Sequence, residues 1–167
     1  KGVETVVQAY EKLQKYTVKI MGDDTTEEAI RLKRYIKEHK IKNIEFLGFK
    51  SGEELEDIIK GARFTLIPSI WYDNLPNTAL ESFQYSKPVI ASNIGSLPEL
   101  VVDGENGYLF KPADAEDLIK KIKLLDDDTV VEKMGAASRR RLESRFSPET
   151  HYEALMKVFS EAVKNNK

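Results

Sequence analysis

Two rhythms of apolar residues alternate along the chain. Spacings of three and four mark helices, and Val3, Val6, Val7, Tyr10 and Leu13 give the first over residues 3–14. Short apolar runs mark strands, at 17–21, closed by Gly22-Asp23-Asp24, and at 44–48, closed by Phe49-Lys50-Ser51-Gly52. Between them Thr26-Glu27-Glu28 opens a charge-rich helix to about His39, its charges reading as a solvated face. Ser51 and Glu54 have the spacing of a capping box, and Leu55, Ile58 and Ile59 stripe the helix behind it until Gly61. A strand over 64–68 ends at Pro68-Ser69. Pro76 suits the first turn of a helix, where its missing N–H costs nothing. Residues 77–86 then keep a helical pattern, with Leu80 and Phe83 inward and Asn77, Thr78, Glu81 and Gln84 on another side.

The same alternation continues toward the C-terminus. Pro88–Ser92 reads as a strand, residues 93–99 as a loop and short helix, and Tyr108–Phe110 as a last strand after turns at Asp103-Gly104 and Asn106-Gly107. Helices follow along Leu118, Ile119, Ile122 and Leu125, over 128–143, and over about 148–164 with Tyr152, Leu155, Met156 and Phe159. Strands alternating with helices predict an α/β domain, a Rossmann-like three-layer parallel sheet with helices on both faces. At 167 residues the chain is expected to be a single domain over 1–167, large enough to bury about 70% of its extended surface.

Composition narrows the chemistry. With 41% hydrophobic and 32% charged residues the chain has the make-up of a globular protein, and its formal net charge of -2 argues against charge-driven nucleic-acid binding. The triplet Arg139-Arg140-Arg141 lies among acids and reads as a solvated face. Without cysteine there is no disulfide framework and no thiolate nucleophile or ligand. No metal-ligand spacing is present, and no apolar run approaches the roughly 18 residues of a membrane span. A cytoplasmic setting is expected by default.

The stretch from Ser69 to Glu81 carries the chemistry. It reads as a strand end, a loop and a helix start. Free N–H groups near Asn77, Thr78 and Ala79, with the positive end of the helix dipole, make an anion site for a phosphate or diphosphate. Asp73 precedes that site and Glu81 lies one turn inside it. Carboxylates so close to phosphate would repel it, so they are read as acceptors for hydroxyls. A ligand with phosphates in the middle and hydroxyls on both sides is a nucleotide sugar.

Pro68-Ser69, three residues, Asp73, seven residues, Glu81, and then Lys87-Pro88-Val89-Ile90-Ala91-Ser92 resembles the signature of retaining glycosyltransferases of the family-4 type, the group 1 glycosyltransferases. The resemblance implies the C-terminal half of a GT-B fold, two Rossmann-like halves with the site in the cleft between them. It implies that Glu81 holds the ribose hydroxyls, Asp73 the donor-sugar hydroxyls, and the amides near Asn77 and Thr78 the diphosphate. Lys1 matches the family's diphosphate-binding lysine, whose partner arginine would lie upstream. Phe49 and Lys50 fall on the base side. The family usually has Glu where this chain has Asp73, one methylene shorter. The fold's central strand would precede Lys1, so either further upstream residues or a gap in the sheet is expected.

What the resemblance implies in function is a hexosyl transferase of polysaccharide biosynthesis, independent of metal and cofactor, using a UDP-, GDP- or ADP-sugar donor. Its partners would be the missing N-terminal half and an acceptor glycan, lipid or small molecule. The final helix would cross back toward that half. This part alone would bind donor but turn over nothing, and the intact enzyme could lie at the inner face of the membrane. Two alternatives stay open, a non-catalytic nucleotide-sugar-binding subunit and a sugar-nucleotide epimerase of the same fold. His39 reads as a surface residue, and Glu99 as a helix-start residue rather than a ligand.

Overall fold

The computed structural model describes residues 1–165; residues 166 and 167 of the expected domain lie outside them. The elements run α1 (Val3–Lys12), β1 (Val18–Met21), α2 (Glu27–Glu38), β2 (Ile44–Gly48), α3 (Gly52–Gly61), β3 (Thr65–Ile67), α4 (Asn77–Gln84), β4 (Val89–Ser92), α5 (Leu97–Leu100), β5 (Gly107–Phe110), α6 (Ala115–Lys123), α7 (Asp128–Arg145) and α8 (Pro148–Asn165). The predicted order is reproduced, with ends that move by a few residues.

Every strand pairing is parallel. β1 lies beside β2 with Val18 opposite Ile44. β3, β4 and β5 form a second sheet, with Thr65 opposite Val89 and Val89 opposite Gly107. The strands therefore divide into a two-stranded and a three-stranded sheet, as the expected gap requires. Val18 of β1 and Leu66 of β3 pack on one hydrophobic cluster, yet the two strands are not hydrogen-bonded to each other.

β4 shows why the arrangement has three layers. All four of its residues are buried, as a strand covered on both faces must be. Ile90 points into a cluster with Val6 and Tyr10 of α1, Leu13 just after it, and Leu118 and Ile122 of α6. Val89 and Ala91 point the other way, onto Ala79 and Phe83 of α4 and Leu97 and Leu100 of α5. Alternate side chains of one strand thus feed two cores.

Local chemistry sets the helix boundaries. α1 ends at Lys12 rather than at residue 14, because the Asn43 side-chain amide lies 3.0, 2.9 and 2.9 Å from the carbonyls of Tyr10, Leu13 and Tyr16. That amide takes over carbonyls the helix leaves free. Thr26, Asp114 and Asp127 cap α2, α6 and α7 by accepting from the amides of Ala29, Asp117 and Thr129. The capping box predicted at Ser51 and Glu54 does not form. Ser51 makes no side-chain cap bond, and the Lys50 ammonium holds Glu54 at 3.2 Å instead.

The arginine triplet also departs from the solvated-face reading. Arg139 pairs with Glu143 and donates to the Gln84 carbonyl, while Arg141 donates to the Glu99 carbonyl. Both bind α7 to elements it packs on; only Arg140 is left to solvent. His39 is exposed, stacked on Tyr35. α8 extends from α7, and every side chain over 151–164 is exposed. No described helix is long and apolar enough to cross a membrane.

Candidate functional site at the carboxyl ends of the strands

In parallel α/β sheets ligands lodge at the carboxyl ends of the strands, and the predicted site residues collect there. The loop after β3 is anchored by Ser69, which is buried, and then exposes Ile70, Trp71, Tyr72 and Leu75. Gly2 sits against the same strand end. Its φ is +78°, and a Cβ there would lie 1.8 Å from the Pro68 carbonyl oxygen, so only glycine lets α1 start at that point. Lys1 is thereby carried to the loop. Its ammonium lies 4.2 Å from the Trp71 ring centroid and 3.9 Å from Asp73 Oδ2.

Asp73 is half-buried, and its Oδ1 accepts from the Asn74 amide at 3.1 Å. Its backbone is held from behind. Ser96 donates twice to the Asp73 carbonyl, from N at 3.3 Å and from Oγ at 2.9 Å. Gly95, at φ +61°, lets the turn approach so closely that a Cβ would stand 3.0 Å from Asp73 N. Neither Gly95 nor Ser96 was singled out by sequence; their role depends on a contact across more than twenty positions, and no local periodicity signals it.

α4 begins at Asn77 with Pro76 as its N-cap. The amides of Asn77 and Thr78 have no acceptor among the described residues, and both residues are exposed. Ala79 differs from the reading of its amide as free. Its N–H donates to the Pro76 carbonyl at 3.0 Å and the residue is fully buried, because the first turn tightens back onto proline. The anion site of α4 is therefore the Asn77 and Thr78 pair. The helix is fixed to β3 through Ser82, buried within it, whose Oγ donates to the Thr78 carbonyl at 2.6 Å and accepts from Thr65 Oγ1 at 2.8 Å. Glu81 is half-buried one turn into the helix.

Phe49 and Lys50 follow β2, at the carboxyl end of the other sheet. Phe49 is 77% exposed, and Lys50 is half-buried. Among the described residues no group of three or more His, Asp or Glu side chains comes together as a metal site. Along one loop and helix lie the Asn77 and Thr78 amides and the Asp73 and Glu81 carboxylates, with Lys1 brought beside them from the start of α1 and an exposed aromatic ring on a second loop.

Comparison with known proteins gives a consistent family. The family described as glycosyl transferases group 1 matches residues 1–141. An uncharacterised glycosyltransferase of Methanocaldococcus jannaschii is 29% identical over 161 residues, 96% of this chain and 45% of that protein. Glycogen synthase of Mycobacterium tuberculosis is 27% identical over 172 residues, 100% of this chain and 41% of its own. Among solved structures, sucrose-phosphate synthase from Thermosynechococcus elongatus superposes with a TM-score of 0.86 at 26% identity, over 99% of this chain and 43% of the other. The C-terminal domain of the group 1 glycosyl transferase LpcC from Francisella tularensis shares the fold, with a TM-score of 0.78 at 24% identity over 89% of this chain and 80% of that one. The chain spans less than half the length of these two curated relatives.

Proposed function

The chain belongs to the group 1 glycosyl transferases, and from that premise we propose that it is the donor-binding half of a retaining hexosyl transferase using a nucleoside-diphosphate sugar. The observation that carries the reading is the start of α4. Unpartnered Asn77 and Thr78 amides lie there, next to the loop that holds Asp73 and Lys1. Amides and a dipole end favour a diphosphate. Glu81 then takes the ribose hydroxyls, Asp73 the sugar hydroxyls, and the exposed Phe49 ring with Lys50 the base side.

In the reaction an acceptor hydroxyl oxygen bonds to the anomeric carbon on the face from which the diphosphate departs. The bond from that carbon to the diphosphate oxygen breaks, and the diphosphate takes the electron pair. The hydroxyl proton leaves with the departing phosphate oxygen. Preorganised donors facing the growing charge do most for such a step. Here these are the two amides and Lys1, which gives up its long contact to Asp73 for the phosphate. Metal is not called on. The acceptor belongs to an N-terminal half, so this chain binds donor without turning it over.

The test is a thermal-shift titration with UDP, GDP, ADP and their common sugar conjugates, on this chain and on Glu81→Ala. A ligand that binds only the folded state raises Tm with the logarithm of its excess. A shift with one nucleoside diphosphate, lost in Glu81→Ala, is the expected result. No shift with any of them, in this chain and in the full-length enzyme alike, rejects the reading.

A further inference from the structure

A cavity of about 460 Å³ opens between residues 74–75, α5 with the turn before it, and the C-terminal end of α7. Asn74, Ser96, Glu99, Arg141 and Arg145 supply its polar wall. The two arginines are four residues apart on α7, so they share a face. Among the described residues, α7 pairs Arg139 with Glu143, but neither Arg141 nor Arg145 has a carboxylate within ion-pair distance. Arg141 spends one Nη on the Glu99 carbonyl. Its Nε is buried and has no acceptor among the described residues. Burial, and then the charge of Arg145, push the Arg141 guanidinium below its ordinary value, with only Glu105 acting the other way.

A buried donor without an acceptor is costly and rare, and two like charges at one cavity add repulsion. The repulsion is relieved by a compact oxyanion between the two guanidinium groups. The planar fork of arginine matches phosphate geometry. Glu99 and Asn74 share the wall, and an acid and an amide there suit hydroxyl groups rather than more negative charge. We infer that this cavity binds the phosphate ester of a polyol, with the phosphate between the Arg141 and Arg145 guanidinium groups and the hydroxyls on Glu99 and Asn74. The site is separate from the free amides of α4, and it stands whether or not those amides hold a diphosphate. Asn74 and Leu75 of its wall follow Asp73 directly in the chain, so an occupant touches the loop that carries the proposed sugar-binding carboxylate.

The experiment follows the Arg141 Nε–H signal by NMR in 15N-labelled protein, identified by its loss in Arg141→Lys. Inorganic phosphate, glucose 6-phosphate and glucose are titrated separately, and UDP is titrated in parallel while the Asn77 and Thr78 amides are followed. The expected result is a saturable shift of the Arg141 signal with both phosphates, tighter for glucose 6-phosphate, and none with glucose. Arg145→Gln, a change at an exposed side chain, should weaken that binding about tenfold, the loss of one charge-assisted contact. No shift with either phosphate, or one that Arg145→Gln leaves intact, overturns the site. Equal affinity for the two phosphates overturns the polyol ester and leaves free phosphate as the ligand. The UDP arm reports on α4 alone, so failure of one site cannot be mistaken for failure of the other.

Discussion

Ser96 holds Asp73 through the backbone, its N–H and its hydroxyl both donating to the Asp73 carbonyl. The loop that carries the carboxylate is therefore held by the turn that follows β4. Gly95→Ala should be the more damaging change there. It forces a left-handed φ on alanine and drives a Cβ against the Asp73 backbone, at a cost of about 1–2 kcal/mol for the conformation alone. Ser96→Ala should cost about 1 kcal/mol and weaken sugar-nucleotide binding more than UDP binding. Denaturant melts with paired titrations check both; a Gly95→Ala protein as stable as the parent would sink the argument.

Asp73 itself separates a transferase from a non-catalytic subunit. In the full-length enzyme Asp73→Ala should lower kcat/KM about 10- to 100-fold, the worth of a hydrogen bond to a charged group. Asp73→Glu should retain most activity, since the charge stays and only the reach changes. An Asp73→Ala enzyme with unchanged turnover would point to the subunit reading.

Ser82 and Phe83 link the site to the core. Phe83 is fully buried under β4, and Phe83→Ala should cost about 3–5 kcal/mol. Ser82→Ala should cost about 1 kcal/mol by stranding the Thr65 hydroxyl. Because Ser82 also steadies the Thr78 carbonyl, UDP affinity should fall along with stability. Equilibrium urea unfolding gives the first quantity and calorimetric titration the second.

Acid should unfold the protein partly through two capped turns. Hydrogen bonds from the Thr25 side chain and amide hold Asp23 below its ordinary 3.8, and those from Thr129 do the same for Asp127. A depressed carboxylate contributes its stability fully above the unfolded value and loses it as pH falls through the lower folded value. Tm should thus drop below about pH 4, and Asp127→Asn should flatten that drop. A Tm profile from about pH 6 to about pH 2 that is identical in the variant would exclude Asp127 as a contributor.

Removing the chain from His151 onward should leave Tm nearly unchanged. Tyr152, Leu155, Met156 and Phe159 are all exposed, so their loss uncovers no core. A fall of several degrees on truncation would show that α8 does contribute to the core.

Much of the fold was legible because parallel α/β folds write themselves locally. The run Val89-Ile90-Ala91-Ser92 announces a strand buried on both faces, and the stripe Leu118, Ile119, Ile122 a helix beneath it. The loop from Ser69 to Asn77 was legible for the same reason, since Pro68-Ser69 marks where the strand stops and Pro76 where the helix starts. What was not legible lies in contacts between distant segments. Ser96 meets Asp73 only after β4 has passed between them, and Arg141 meets Glu99 across 42 positions. The Ala79 amide failed for a local reason, as the first turn closes on the Pro76 carbonyl instead of staying open. The capping box failed because Lys50 competes for Glu54.

The division of the strands has a consequence for cooperativity. Most buried side chains belong to the two clusters around β4, whereas no residue of β1 or β2 is fully buried. The smaller sheet therefore leans on the larger through the shared cover of α1. Such a molecule does not open everywhere at once; it has a stable foldon and a weaker one. Amides of β4 should survive hydrogen exchange longest, and those of β1 and β2 should open first. The loop that presents Phe49 rides on the weaker foldon, and the loop that presents Asp73 on the stable one. A ligand gripping both would tie two independent opening events into one.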